Sequence, residues 1–142
     1  MSDYSRKLPS ALRPGGFTLI ELVIAVAILA ILMAVAIPSY TRYVVASNRT
    51  EATVTLSNTA QLLERCYSRF SRYDAGDCTV TFPVVSDSGF YSITGEVNAA
   101  DFTLTAAPQG SQATRDAACG SLTLTHSGIR GVTGTESVDD CW

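Results

Sequence analysis

The sequence predicts an α+β fold: one long amino-terminal helix packed on a four-stranded antiparallel sheet. Three observations carry that prediction. From Leu22 to Ile37 the chain reads LVIAVAILAILMAVAI, without a polar residue. Beyond it, Val45, Ala52, Leu56, Ala60, Leu63, Tyr67 and Phe70 follow at spacings of 7, 4, 4, 3, 4 and 3. Farther on the period drops to two, as in Phe90-Tyr91-Ser92-Ile93-Thr94. A helical stripe followed by alternating runs is the pattern of a helix laid against a sheet.

Length and composition set the frame. At 142 residues there is room for one domain and little else. Hydrophobic residues make up 46% and charged residues 16%, the reverse of a disordered chain. The net charge of −3 gives no global attraction for nucleic acid. One histidine and no clustered cysteines exclude most metal-based and histidine-based catalytic schemes.

The first sixteen residues, MSDYSRKLPSALRPGG, carry Arg6, Lys7 and Arg13 against one acid, Asp3. The next zone, 17–40, has Glu21 as its only charge. As a helix it would run about 36 Å, enough for a bilayer core of about 30 Å. Cations ahead of a span hold that end in the cytoplasm, so residues 41–142 are expected to form a head on the far side. A secretory signal peptide fits poorly, because its small-residue cleavage site follows the apolar run. Here Gly15-Gly16 precedes the run, and a cut there sheds the basic leader while keeping the anchor. Within the run, a carboxylate in hydrocarbon marks function unless it is paired. The α-amine that such a cut would create at Phe17 is the nearby cation for Glu21. Pro38 is expected to kink or interrupt the helix.

Past Pro38 the apolar stripe continues the helix. Arg65, Arg69 and Arg72 lie out of phase with it, on roughly the opposite face. They read either as a solvated face suited to a helix carboxyl end or as a row for DNA; the acidic head favours the former. Strands are expected at 90–94, 102–106, 122–125 and, after the Ser127-Gly128 turn, 129–132. Residues 79–85 are a weaker candidate, since Pro83 confines them to an edge or a loop.

Four cysteines allow three connectivities. We pair Cys66 with Cys78 and Cys119 with Cys141, because each closes a short local loop in a head expected to sit in an oxidising compartment. Each is worth about 3 kcal/mol by chain entropy. Zinc lacks a C-x-x-C, with only His126 to assist. Asp139 and Asp140 are too few ligands for calcium. His126 has no nucleophile partner in the pattern. Asn48-Arg49-Thr50 matches a glycosylation acceptor but falls inside the helix.

Gly16-Phe17-Thr18-Leu19-Ile20-Glu21-Leu22 resembles the processing site of type IV prepilins. The resemblance implies cleavage after Gly16 by prepilin peptidase and methylation of Phe17. It also implies that Glu21 pairs with the amino terminus of a neighbouring subunit during filament growth. Pro38 and Tyr40 continue it. Eight residues before Pro38, where the family carries glycine, this chain has Ala30, the best helix former. The resemblance therefore does not carry over the family's loss of helix before the proline. Ser47-Asn48-Arg49-Thr50-Glu51-Ala52 resembles the first helix of PilE-type minor pilins. Phe102–Ala106, Arg115-Asp116, Cys119–Thr125, Gly128–Gly131 and Asp140-Cys141-Trp142 resemble their carboxyl half, where a disulfide closes the last loop.

The implied protein is a structural subunit of a type IV pilus without catalysis or cofactor, most consistent with a minor pilin that helps start or build the filament. A major pilin, a DNA-uptake pilin and a type II secretion pseudopilin are the alternatives. The implied partners are other pilin subunits through the helix, prepilin peptidase, the inner-membrane assembly machinery and a tip adhesin. Nucleic acid is not an expected partner. The implied location is the inner membrane before assembly and the extracellular filament afterwards. Residues 72–89 and 119–141 are the expected contact loops.

Overall fold

Five strands, not four, make the sheet. The computed structural model describes residues 16–78 and 80–142. Helix α1 (Leu19–Phe70) is followed by β1 (Val84–Val85), β2 (Tyr91–Val97), β3 (Phe102–Pro108), α2 (Ser111–Arg115), β4 (Leu122–Thr125), β5 (Arg130–Val132) and α3 (Val138–Cys141). The strands lie in the order β1-β2-β3-β4-β5, each antiparallel to the next. The added strand is β1. Pro83 has no N–H to give a ladder, so pairing begins only at Val84, opposite Ile93, and the strand stays short and at the edge. The basic leader expected over residues 1–16 lies, apart from Gly16, outside the described residues, as does Thr79.

The chain divides into two compact units, one ending at Pro38 and one running from Ser39 to Trp142. In the first, α1 is long and apolar enough to cross a membrane, with a mean hydropathy of 3.0 over its most apolar stretch. Its large apolar side chains are all exposed. In the second, Ala52, Leu56 and Leu63 of α1 pack on the inward sheet residues Tyr91, Ile93, Phe102, Leu104, Ala106 and Leu122. Alternation puts Tyr91 and Ile93 on the same face, and the register sets Ile93 opposite Ala106 and Ala106 opposite Leu122.

The buried line of α1 keeps Val45, Ala52, Leu56 and Leu63 of the expected stripe and adds Thr59 and Cys66, while Ala60 is partly buried. Thr59 tolerates burial because its hydroxyl donates to the Thr55 carbonyl at 2.8 Å. Cys66 turns inward to bond Cys78, which leaves Tyr67 40% exposed against the Tyr73 ring, with centroids 4.6 Å apart. Gly95 sits mid-strand, where a glycine weakens a strand. The Phe82 ring lies over it, and a Cβ at that position would run into the ring.

Candidate assembly site

At the amino end, Thr18 precedes the first turn of α1. Its carbonyl accepts from Leu22 N–H at 3.2 Å, and its hydroxyl accepts from Glu21 N–H at 3.3 Å. That is half of a capping box, in which Ser or Thr stands three residues before Glu. The Thr18–Glu21 spacing carried this signal, and the sequence reading passed over it. Glu21 therefore has its backbone held by the cap while its exposed side chain makes no ion pair among the described residues. Phe17 is 85% exposed. From Leu19 to Ile37 every large apolar side chain is at least 53% exposed, so this stretch has no apolar cover among the described residues. Pro38 lies inside α1, at the end of the first unit.

In the head, a buried polar hub joins α1 to α2 and α3. Asp116 follows the last residue of α2 and is 2% exposed. Its carboxylate accepts from Arg49 Nε at 3.1 Å and from Arg49 Nη2, a bidentate pair. It also accepts from the Tyr91 hydroxyl at 2.8 Å and from Gln112 Nε2 at 3.1 Å. Gln112, 1% exposed, donates to the Val45 carbonyl at 3.1 Å, and its own carbonyl accepts from Asn48 Nδ2 at 3.0 Å. Hydrogen bonding to Asp116 holds the Arg49 pKa above its ordinary value. Burial pushes the Tyr91 phenol up to about 12, with the Asp116 carboxylate adding to the rise. No buried side-chain polar atom is left without a partner among the described residues. Such a network rewards one arrangement of α1 against the loops.

Arg49 also reaches the carboxyl-terminal loop, donating through Nη1 to the Asp140 carbonyl at 3.1 Å. That loop is closed by Cys119 and Cys141, with Cα atoms 5.7 Å apart. Ser137 caps α3, accepting from Asp140 N–H at 3.2 Å. Gly134, Thr135 and Glu136 donate backbone N–H groups to the Cys119 and Ala118 carbonyls at 2.8–3.0 Å. A Cβ at Gly134 would overlap the Ala118 carbonyl, so this approach requires glycine. Trp142 Nε1 donates to the Gly131 carbonyl at 3.1 Å, with the Arg130 guanidinium 5.0 Å from its ring centre. Asp139 and Asp140 lie in the first turn of α3, and no group of metal-ligating residues occurs among the described residues.

The arginine row at the end of α1 does not act as a unit. Arg72 pairs with Asp74 through Nε at 2.5 Å and Nη2 at 2.8 Å, which draws the Asp74 carboxyl below its ordinary range. Arg69 lies 5.5 Å from the Phe70 ring centre. Arg65 and Arg69 line a groove beside the Cys66–Cys78 bridge, whose Cα atoms are 5.6 Å apart.

Residues 38–123 match the family described as "Type IV minor pilin ComP, DNA uptake sequence receptor". The chain belongs to the type IV minor pilins. Residues 13–37 match the prokaryotic N-terminal methylation motif, which places Gly16, Phe17 and Glu21 inside it. This pilin is 41% identical over 68 residues to the type IV major fimbrial protein FimA of Dichelobacter nodosus, covering 46% of this chain. It spans 40% of the length of that curated relative. A type IV pilin of Shewanella oneidensis is 32% identical and covers 69% of this chain and 97% of its own, with a TM-score of 0.49. The non-core minor pilin PilV of Neisseria meningitidis shares the fold at 24% identity, covering 67% of this chain and 92% of its own, with a TM-score of 0.52. Pilins are structural proteins that assemble with other pilin subunits. The prepilin motif and the apolar amino-terminal helix of this one fit a membrane-anchored precursor that passes into a pilus.

Proposed function

We propose that this pilin is a non-catalytic minor subunit that helps initiate or build the filament and supports adhesion and motility. The observation that carries the reading is the amino end: an exposed Phe17, a capped Glu21 with no ion partner among the described residues, and apolar side chains exposed from Leu19 to Ile37. Prepilin peptidase removes residues 1–16 after Gly16, and Phe17 becomes the methylated amino terminus. Residues 17–40 hold the chain in the inner membrane with its amino end cytoplasmic. The assembly machinery then moves that helix into the filament core, where Glu21 pairs with an α-amine of another subunit and so sets the axial stagger. A carboxylate placed in an apolar core needs that cation. Residues 41–142 stay on the surface, with loops 72–89 and 119–141 meeting other subunits or a tip adhesin. Quantitative mass spectrometry of sheared, purified filaments tests this. A methylated Phe17 peptide at trace level beside a dominant pilin is the expected result. Dominance of this chain makes it the major pilin. Its absence from filaments, with presence in membranes, points to a pseudopilin.

DNA uptake is a second reading, favoured by the name of the matched family. It would place DNA on Arg65, Arg69 and Arg72. The head, residues 39–142, carries seven arginines against eleven acids, and Arg72 is spent on Asp74. Binding of duplex DNA by the protein, lost in the Arg65→Ala, Arg69→Ala, Arg72→Ala triple variant, would establish it.

A further inference from the structure

The two disulfides of the head stand in different surroundings. Cys119 and Cys141 are 3% and 2% exposed, and Cys66 is 8% exposed. Cys78 alone among the four is only partly buried. Two grooves reach it. One, of about 220 Å³, is lined by Arg65, Cys66, Arg69, Asp77 and Cys78, among others. The other, of about 270 Å³, is lined by Tyr73, Asp74, Ala75, Cys78 and Phe82, among others, and Cys66 is not on its wall. Cys78 is therefore open on a side that Cys66 does not share. Cys66 faces a groove with two guanidinium groups against one carboxylate, and neither Arg65 nor Arg69 makes an ion pair among the described residues. The ties around the bridges differ as well. Among the described residues no hydrogen bond joins 74–78 to α1: Asp74 bonds to Arg72, and Cys78 N–H donates to the Ala75 carbonyl at 2.8 Å. The 119–141 loop is crossed by the N–H groups of Gly134, Thr135 and Glu136 and held by Arg49 at Asp140. Those bonds keep Cys119 and Cys141 close when their bridge is open, which favours its reclosing.

We propose that Cys66–Cys78 is a thiol–disulfide exchange site for a dithiol reductant, while Cys119–Cys141 is a structural bridge. A thiolate of the dithiol enters the groove at Tyr73–Ala75 and attacks the Cys78 sulfur from the side away from Cys66. A new S–S bond forms to Cys78, and the Cys66 sulfur leaves with the electron pair of the broken bond. Cations beside a thiol favour its thiolate, and a more acidic thiol leaves faster, so Arg65 and Arg69 suit Cys66 to leave. The second thiolate of the reductant then attacks its own sulfur in the mixed disulfide and releases Cys78. The pilin gains two electrons and two protons, and the dithiol becomes a disulfide. Cys119 also lines a groove, but attack there would release Cys141, whose burial disfavours the charged form. Exchange at Cys66–Cys78 frees 74–78 from α1 while Tyr73 stays pinned, its N–H on the Ala99 carbonyl and its hydroxyl on Glu64. The freed residues lie in loop 72–89. On the reading of that loop as a contact with other subunits, exchange sets whether the contact is held rigid; the exchange site itself does not rest on that reading.

The test uses the full chain in detergent micelles, equilibrated in dithiothreitol buffers of increasing reducing strength. Iodoacetamide traps the free thiols, and peptide mass spectrometry assigns them. Where Cys66–Cys78 is half reduced, Cys119–Cys141 should be about tenfold less reduced. Hydrogen exchange should then rise at Asp74–Cys78 and stay unchanged in β3 and β4. With glutathione, a monothiol, the mixed disulfide should form on Cys78 and not on Cys66. Arg65→Gln with Arg69→Gln should slow its formation about threefold. Reduction of both bridges together, or of Cys119–Cys141 first, overturns the proposal. So does reduction of Cys66–Cys78 accompanied by exchange across β3 and β4, which is unfolding of the head rather than a local event. Glutathione found on Cys66, or an arginine double variant that reacts at the unaltered rate, overturns the assignment of Cys66 as the leaving sulfur.

Discussion

Residues 19–38 and 39–70 belong to one helix, and both are rich in apolar side chains. The first stretch buries none of its large ones. The second buries a line from Val45 to Cys66 against the chain's own sheet. Their charges follow the same division. Glu21 has no ion partner among the described residues, whereas Arg49 meets Asp116, with Tyr91 and Gln112 closing the remaining sites. One half satisfies its surface and charge within the head; the other finds neither cover nor counter-ion among the described residues. The lesson is that a single run of helix can be half domain core and half interface, with the switch set by where sheet residues are available to cover it.

The largest effect should come from breaking the internal satisfaction. Asp116→Ala strands a part-buried guanidinium, a phenol and an amide, and should cost about 3–5 kcal/mol of head stability. Urea unfolding of the detergent-solubilised chain, followed through its single tryptophan, Trp142, measures this.

Leu56→Ala against Leu29→Ala sharpens the contrast between two leucines of one helix. The first empties a fully buried site and should cost about 2–5 kcal/mol. The second, at a side chain 54% exposed, should leave head stability within about 0.5 kcal/mol. Only the amount of chain recovered in sheared filaments should fall. Equal stability losses would erase the division between the halves.

Removing the bridge by Cys119→Ser with Cys141→Ser opens a loop with a sequence separation of 22 and should cost about 3 kcal/mol. Hydrogen exchange should rise first at Gly134–Glu136, whose N–H groups bond across the closed loop.

The smallest effect is one of pH. Tyr91 and Tyr73 are held at about 12, by burial first, against an ordinary 10.0. Their protonated forms are favoured by folding, so this contribution is complete below pH 10 and is lost as pH climbs from 10 towards 12. Tyr91→Phe should remove part of that slope. Residues 17–38 contain no tyrosine, so their helix signal should stay flat through the same window.

The features legible in the sequence are those that depend on near neighbours. The apolar run, the continuation of the helix past Pro38, and β3 and β4 from their Phe/Leu–Thr alternation all rest on short spacings. Cys66–Cys78 and Cys119–Cys141 are the local pairings. What escaped depends on distant ones. Gly95 would read as the end of β2, yet the strand runs on to Val97 because the Phe82 ring occupies the space a side chain would need. Gln112 and Asp116 look like solvated polar residues of a loop. They are buried because Val45, Arg49 and Tyr91, 21 to 67 positions earlier, meet them. At the amino end, the hallmark residues Gly16, Phe17 and Glu21 were visible in the sequence, while the cap from Thr18 was there to be read and was not.

The bond from Arg49 to the Asp140 carbonyl spans 91 positions. A chain made from its amino end exposes Arg49 long before residue 140 exists. The helix can form early, since its bonds are local. Its seat on the head cannot be completed until Asp140 is made and Cys141 meets Cys119. The 119–141 loop therefore acts as a clasp: a chain that stops before Asp140 would keep its strands and its apolar helix, yet lack the closed loop that locks α1 in register.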